Sequence, residues 1–210
     1  MSDFNLQSGD KMLFIGDSIT DAGRRAEPTA PLGVGYVRMV VNAVTAKYPE
    51  REIEFINRGI GGNTVLELEQ RWQADVMDHK PDWLSVMIGI NDVHRCYRDA
   101  AAQTDPQSYA RIYDALLTEA AEKFGPKMVL MEPFYLCSDP DHDINKQLVP
   151  YFDTVHALAE KFDALLVPVH QAFQKALAVR PDPFWSPENV HPVPEGHAFI
   201  ALQWLDAMGW

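Results

Sequence analysis

At 210 residues, with 47% hydrophobic and 23% charged side chains, the chain suits one globular domain with a well-buried core and leaves little room for a second. A formal net charge of −12 disfavours nucleic acid and anionic membrane surfaces as partners and leaves neutral small molecules and glycans open. The N-terminus lacks the basic start and apolar run of a signal peptide, no stretch is long enough for a bilayer span, and Cys96 and Cys137 lack metal-ligand spacing, so a soluble, cytoplasmic protein without disulfide framework or zinc site is expected.

In chain order, a first strand over Met12 to Gly16 leads to an amphipathic helix over Gly35 to Lys47. A strand over Ile53 to Asn57 precedes a helix over Val65 to His79, and a strand over Trp83 to Gly89 precedes one over Pro106 to Phe124. Strand Met128 to Glu132 and helix Ile144 to Phe162 follow, then a strand over Ala164 to Val169. A last helix starts near Pro194, where proline suits a first turn. The strands are continuous apolar runs rather than alternating ones, the pattern of parallel strands covered on both faces. Five strands alternating with helices predict an α/β fold, a three-layer α/β/α sandwich whose ligands bind beyond the carboxyl ends of the strands. Ser138 to Asp141 and Arg180 to Pro183 read as surface loops within it.

Four strand-to-helix segments carry side chains suited to acyl chemistry. Gly16-Asp17-Ser18 ends the first strand, and its serine is a nucleophile only if a base takes its proton. Alone, the tripeptide is equally a polar turn. The glycine-rich turn Asn57-Arg58-Gly59-Ile60-Gly61-Gly62-Asn63-Thr64 offers backbone N–H groups to a phosphate or to the oxyanion of a tetrahedral intermediate, or is simply a tight turn. Gly89-Ile90-Asn91-Asp92 ends the third strand, where Asn91 can donate to the same oxyanion or cap a helix. Near the C-terminus, Glu188-Asn189-Val190-His191 sets a carboxylate three residues ahead of an imidazole.

Taken together, these segments resemble the SGNH (GDSL) hydrolase superfamily over nearly the whole chain. Gly16-Asp17-Ser18 is similar to its nucleophile block, Gly62 to the glycine of its second block, Asn91 to its Gly-x-Asn-Asp asparagine and His191 to the histidine of its last block. The resemblance implies a flavodoxin-like sandwich, no metal or organic cofactor, and an oxyanion hole from the Ser18 N–H, the Gly62 N–H and the Asn91 side chain. Leu13 to Asp21, Gly62 to Val65, Lys80 to Trp83 and Met87 to Val93 look particularly like intracellular bacterial acetylxylan esterases. That likeness implies a serine esterase removing acetyl groups from xylo-oligosaccharides or related carbohydrates, with Ser18 and His191 catalytic.

The last block departs from the family's Asp-x-x-His by carrying Glu188. Three readings stand: Glu188 reaches the imidazole, Asp182 substitutes for it, or a Ser–His pair works alone. Glu188 is favoured, since glutamate serves as the acid in some α/β-hydrolase triads. Tyr135 and Trp185, with Phe134 and Phe184, are candidates for a sugar-binding platform or for core packing. Asp139-Pro140-Asp141-His142-Asp143 superficially resembles a metal site but reads as a solvated turn. Phe199 and Trp210 suit a homo-oligomer interface or close the core. Rival functions are a lipid or thioester acylhydrolase, a non-catalytic glycan-binding protein, and a phosphate- or nucleotide-binding module, the last lacking a P-loop lysine.

Overall fold

The computed structural model describes residues 4–27, 29–98 and 104–210, and the side chains of all of these except 95–98. The apolar runs form five strands: β1 (Lys11–Gly16), β2 (Glu54–Gly59), β3 (Trp83–Met87), β4 (Lys127–Met131) and β5 (Leu165–Val167). All pair in parallel, in the order β2-β1-β3-β4-β5. Met12 to Gly16 and the whole of β3 are buried, as helices on both faces require. Strand ends deviate from the expected ones for local reasons. β2 continues to Gly59, which pairs with Gly16. β3 stops at Met87, and Gly89 has φ +133°, outside the range of a side-chain-bearing strand residue. β5 ends before Pro168, which has no N–H for the ladder and opens the next helix.

The helices are α1 (Ser18–Asp21), α2 (Tyr36–Lys47), α3 (Val65–Trp72), α4 (Ile90–Arg98), α5 (Pro106–Lys123), α6 (Asp143–Lys161), α7 (Val169–Leu177), α8 (Asp182–Trp185) and α9 (Pro194–Ala207). The helix expected over Val65 to His79 is α3 followed by a π-helical turn over Gln73–Met77. α9 packs with α2 and α7 on one face, and α3, α5 and α6 pack in sequence on the other. Trp204 of α9 is fully buried beside Phe14, ring centroids 5.3 Å apart, and its indole N–H donates to Ser85 Oγ at 3.1 Å. Phe199 packs on Phe173 against the core, and Trp210, itself 39% exposed, edges onto Phe4 and Tyr48. No helix among the described residues is long and apolar enough to cross a membrane.

The connections after β1 run to β2 on one side and those after β2 return to β3 on the other. The strand order therefore switches between β1 and β3, and a crevice opens beyond their carboxyl ends. Ser18, Gly62 and Asn91 lie on the three segments that leave β1, β2 and β3 at that crevice.

Candidate active site

Ser18 is the first residue of α1, immediately past β1. Asp17 caps this short helix, its Oδ1 accepting from the Ile19 N–H at 2.9 Å. The turn demands glycine just before it: a Cβ on Gly16 would stand 2.3 Å from the Met87 carbonyl oxygen and 2.5 Å from Thr20 Oγ1. Burial pushes the Asp17 carboxyl up to about 7, against the lowering effect of the Ile19 N–H and with a smaller upward push from Asp92.

Beyond β2, Asn57 braces the glycine-rich turn. Its Oδ1 accepts from the Gly59 N–H at 2.8 Å while its Nδ2 donates to the carbonyls of Thr20 at 2.7 Å and Leu32 at 3.0 Å. Gly61 N–H donates to Asp21 Oδ2 at 3.0 Å, and Gly62 adopts φ +80°, a left-handed conformation that favours glycine. Thr64 then starts α3 with a capping box to Glu67. Asn91 Nδ2 donates one N–H to the Asn63 carbonyl at 3.0 Å, which fixes the amide beside the Gly62 turn. Asp92 accepts from the Val65 N–H at 3.1 Å, and burial raises its carboxyl to about 7.

The loop before α9 delivers the imidazole. His191 Nε2 is 2.8 Å from Ser18 Oγ, across 173 residues of sequence, and His191 Nδ1 is 2.6 Å from Glu188 Oε1. An ionised Glu188 is an acceptor only, so Nδ1 carries the proton and Nε2 is left to accept from the serine hydroxyl. The loop is held from within and without. Ser186 Oγ donates to the His191 carbonyl at 2.7 Å. Asn189, at φ +71°, accepts from the Leu136 N–H at 2.8 Å through its carbonyl and donates from Nδ2 to the Leu136 carbonyl. His197, one turn into α9, is pushed down to about 4 by burial and by the neighbouring His191. Neither Asn189 nor His197 carries any signal in a single sequence, where both read as ordinary polar residues.

The alternative carboxylate, Asp182, does not meet His191. Its Oδ1 accepts from the Ser138 N–H at 2.9 Å at the start of α8. The aromatic platform needs correction. Phe134 is fully buried on Phe173, and Tyr135 is 8% exposed with its ring tilted over His142, so neither offers an open face to a sugar. Burial against the loop beyond β4 wins over exposure at the rim. Trp185 is half-buried among Phe173, Phe184 and Phe199, and its indole N–H is taken by the Arg180 carbonyl at 3.1 Å. It has only part of its ring to offer a ligand. The segment from Asp139 to Asp143 is a helix cap: His142 Nδ1 accepts from the Ile144 N–H at 3.2 Å, and Asp141 pairs with Lys146. No group of three His, Cys, Asp or Glu among the described residues is placed to hold a metal ion. Cys137 is a half-buried free thiol, and Cys96 lies outside the described side chains.

The chain has counterparts among known proteins. The model of the GDSL-like lipase/acylhydrolase family matches residues 14–199. An acetylxylan esterase of Geobacillus stearothermophilus is 39% identical over 211 aligned residues, covering 97% of this chain and 95% of that protein. The crystal structure of Axe2, an acetylxylan esterase from the same organism, superposes with a TM-score of 0.93 at 36% identity, covering 98% of this chain and 97% of that one. An α/β hydrolase from the metagenome of Lake Arreo, Spain, superposes with a TM-score of 0.91 at 33% identity, covering 99% and 98%. Catalytic mutants of Axe2 have been solved in which a serine, an aspartate and the histidine three residues beyond it are each replaced by alanine. The full-length match in sequence, the shared sheet and the carboxyl-edge site place the chain in the GDSL-like lipase/acylhydrolase family, among the SGNH carboxylic ester hydrolases.

Proposed function

We propose that the protein is a serine esterase that removes acetyl groups from xylo-oligosaccharides or related carbohydrates through an acyl-enzyme. The observation that carries this reading is the continuous hydrogen-bond chain from Ser18 Oγ through the His191 ring to Glu188, at 2.8 Å and 2.6 Å. The substrate class rests on the likeness to acetylxylan esterases over nearly the full chain.

In this scheme Ser18 Oγ attacks the acetyl carbonyl carbon as His191 Nε2 takes the hydroxyl proton. The carbonyl oxygen becomes an oxyanion between the Ser18 N–H, the Gly62 N–H and the second N–H of Asn91 Nδ2, whose first is held by Asn63. Collapse of the intermediate breaks the bond to the sugar oxygen, which leaves with the proton from His191. Water then attacks the acetyl-serine by the same route, His191 again taking and returning a proton, and acetate departs. Glu188 keeps the proton on Nδ1 and stabilises the imidazolium at each step. Part of the Trp185 ring serves as an apolar wall for the sugar rather than as a hydrogen-bonding edge, because its N–H is already bonded.

The test is acetate release from acetylated xylo-oligosaccharides by wild type and Ser18→Ala, with a fluorophosphonate label mapped by mass spectrometry. Release that disappears in the variant, with label on Ser18, is the expected result. Labelling of Ser18 without acetate release would discard the carbohydrate ester, and a preference for octanoyl over acetyl p-nitrophenyl esters would then point to lipid-like acyl groups. The absence of both label and release in the wild type would overturn the esterase reading.

A further inference from the structure

Arg71 lies in the last turn of α3 with its side chain 13% exposed. Its guanidinium serves four acceptors at once. Nε donates to Asn63 Oδ1 at 2.7 Å, Nη1 to the Arg58 carbonyl at 2.6 Å and to Asp75 Oδ2 at 2.8 Å, and Nη2 to the Gly16 carbonyl at 2.8 Å. Gly16 ends β1 two residues before Ser18, Arg58 sits in β2 at the entry to the glycine-rich turn, and Asn63 follows Gly62. The Asn63 carbonyl in turn accepts from Asn91 Nδ2 at 3.0 Å. Every segment that carries a donor of the oxyanion hole is therefore one or two hydrogen bonds from a single planar cation.

The local backbone is shaped for this. Asp75 belongs to the π-helical turn that continues α3, and there it receives Arg71 and lies 3.8 Å from Arg58 Nε. Such turns are uncommon insertions that re-aim side chains in a helix. The rigid fork of a guanidinium suits four acceptors in different directions, which a lysine's single ammonium cannot reproduce.

We propose that Arg71 is the positioning residue of the oxyanion hole, holding the ends of β1 and β2 and the Asn63 turn in the arrangement that brings the Ser18 N–H, the Gly62 N–H and the Asn91 amide to one point. This rests on the esterase reading above. Arg71 acts through Asn63 and the backbone. Its loss lets the donors drift and weakens an interaction made chiefly in the transition state, so kcat falls while KM holds.

The experiment is steady-state hydrolysis of p-nitrophenyl acetate by the full chain, with kcat expressed per serine labelled at the endpoint of fluorophosphonate titration, so that unfolded protein drops out. Arg71→Met and Arg71→Lys are expected to lose roughly 10- to 100-fold in kcat, the scale of a misplacement near 1 Å, with KM within about twofold. Asn63→Ala keeps the carbonyl that Asn91 uses but removes the acceptor for Arg71. It should lose less than Arg71→Met and add little to it, because the two act as a unit. Arg38→Met deletes a cation of α2 whose Nε donates to the Gly33 carbonyl at 3.4 Å without touching β1, β2 or the Asn63 turn, and should stay near wild type. Arg71 variants with wild-type kcat per labelled site, or with losses matched by a raised KM, would overturn the proposal. If Arg71→Met does not fold, Arg71→Lys and Asn63→Ala decide by the same criteria. A wild type that neither labels nor hydrolyses defeats the esterase reading itself; an active wild type with unaffected Arg71 variants defeats only the role of Arg71.

Discussion

A single oxygen of Glu188 holds His191 twice: Oε1 accepts from the backbone N–H at 2.7 Å and from Nδ1 at 2.6 Å. The first bond shapes the loop and the second orients the ring. Where Axe2 has an aspartate three residues before its histidine, this chain has the longer glutamate. Glu188→Asp should therefore lose activity despite keeping the charge, because the shorter side chain cannot serve both donors from this backbone; a drop of about 10-fold in kcat is expected, against up to ~10⁴-fold for Glu188→Gln, which favours the wrong tautomer. Steady-state kinetics on p-nitrophenyl acetate would rank the three. A Glu188→Gln variant as active as wild type would show that Ser18 and His191 work without a carboxylate.

Ser18→Ala removes the proposed nucleophile at a half-exposed position where its hydroxyl pairs with His191. Turnover should fall at least ~10³-fold, while the urea midpoint stays close to wild type because no core contact is lost. Loss of turnover together with a large fall in midpoint would mean the serine is needed for the fold, and its catalytic assignment would need independent proof.

Asn189 combines φ +71° with a two-way pairing to Leu136, the N–H of Leu136 meeting its carbonyl and its Nδ2 meeting the Leu136 carbonyl. Alanine there adopts a left-handed conformation at a cost of about 1 kcal/mol and gives up the side-chain bond. Glycine gives up the bond but is at ease in the backbone. Chemical denaturation should rank wild type above Asn189→Gly and Asn189→Ala lowest, and the same order in kcat would tie the loop's anchoring to the placement of His191. Equal stability of the glycine and alanine variants would remove the backbone contribution.

The parts of the molecule that read directly from the sequence share one property: their physical cause is local. The central residues of β1, β3 and β4 are almost all apolar because both faces are covered, Ser18, Gly62 and Asn91 stand in short blocks just past strand ends, and His191 stands in one just ahead of α9. α4 escapes a periodicity argument because its first turn is Asn91-Asp92, side chains that serve the crevice instead of the core. α7 is hidden in an apolar run that Pro168 divides, strand on one side and helix on the other. Tyr135 looks exposed beside loop residues, yet the chain folds back over it. Arg71 is the extreme case. In sequence it is one more cation on an amphipathic helix, and only the π-helical turn and the closure of the β1 and β2 ends and the Asn63 turn around it give it four partners.

The buried titratable groups around the site act on stability with opposite signs. His197 is held down to about 4, whereas its ordinary value is 6.5. Between those limits the unfolded chain binds a proton that the native chain does not, so His197 makes stability rise with pH across that window, by about 1.4 kcal/mol per pH unit. Asp92 behaves the other way. Its carboxyl stays protonated in the native chain up to about 7 and ionises near 3.8 when unfolded, so it makes stability fall as pH rises through that range, and Asp17 does the same. The two effects overlap and partly cancel in the wild type. Relative to wild type, His197→Gln should therefore gain stability at pH 4.5 compared with pH 6.5, and Asp92→Asn should gain at pH 6.5 compared with pH 4.5. Asparagine keeps an acceptor for the Val65 N–H, so the substitution removes the titration with little loss of the bond. Urea midpoints at the two pH values read the difference directly, and groups common to all three proteins drop out. Parallel profiles for wild type and both variants would show that neither group changes its proton affinity on folding; profiles that diverge in opposite directions would locate the pH response of the fold in the crevice that Ser18 faces.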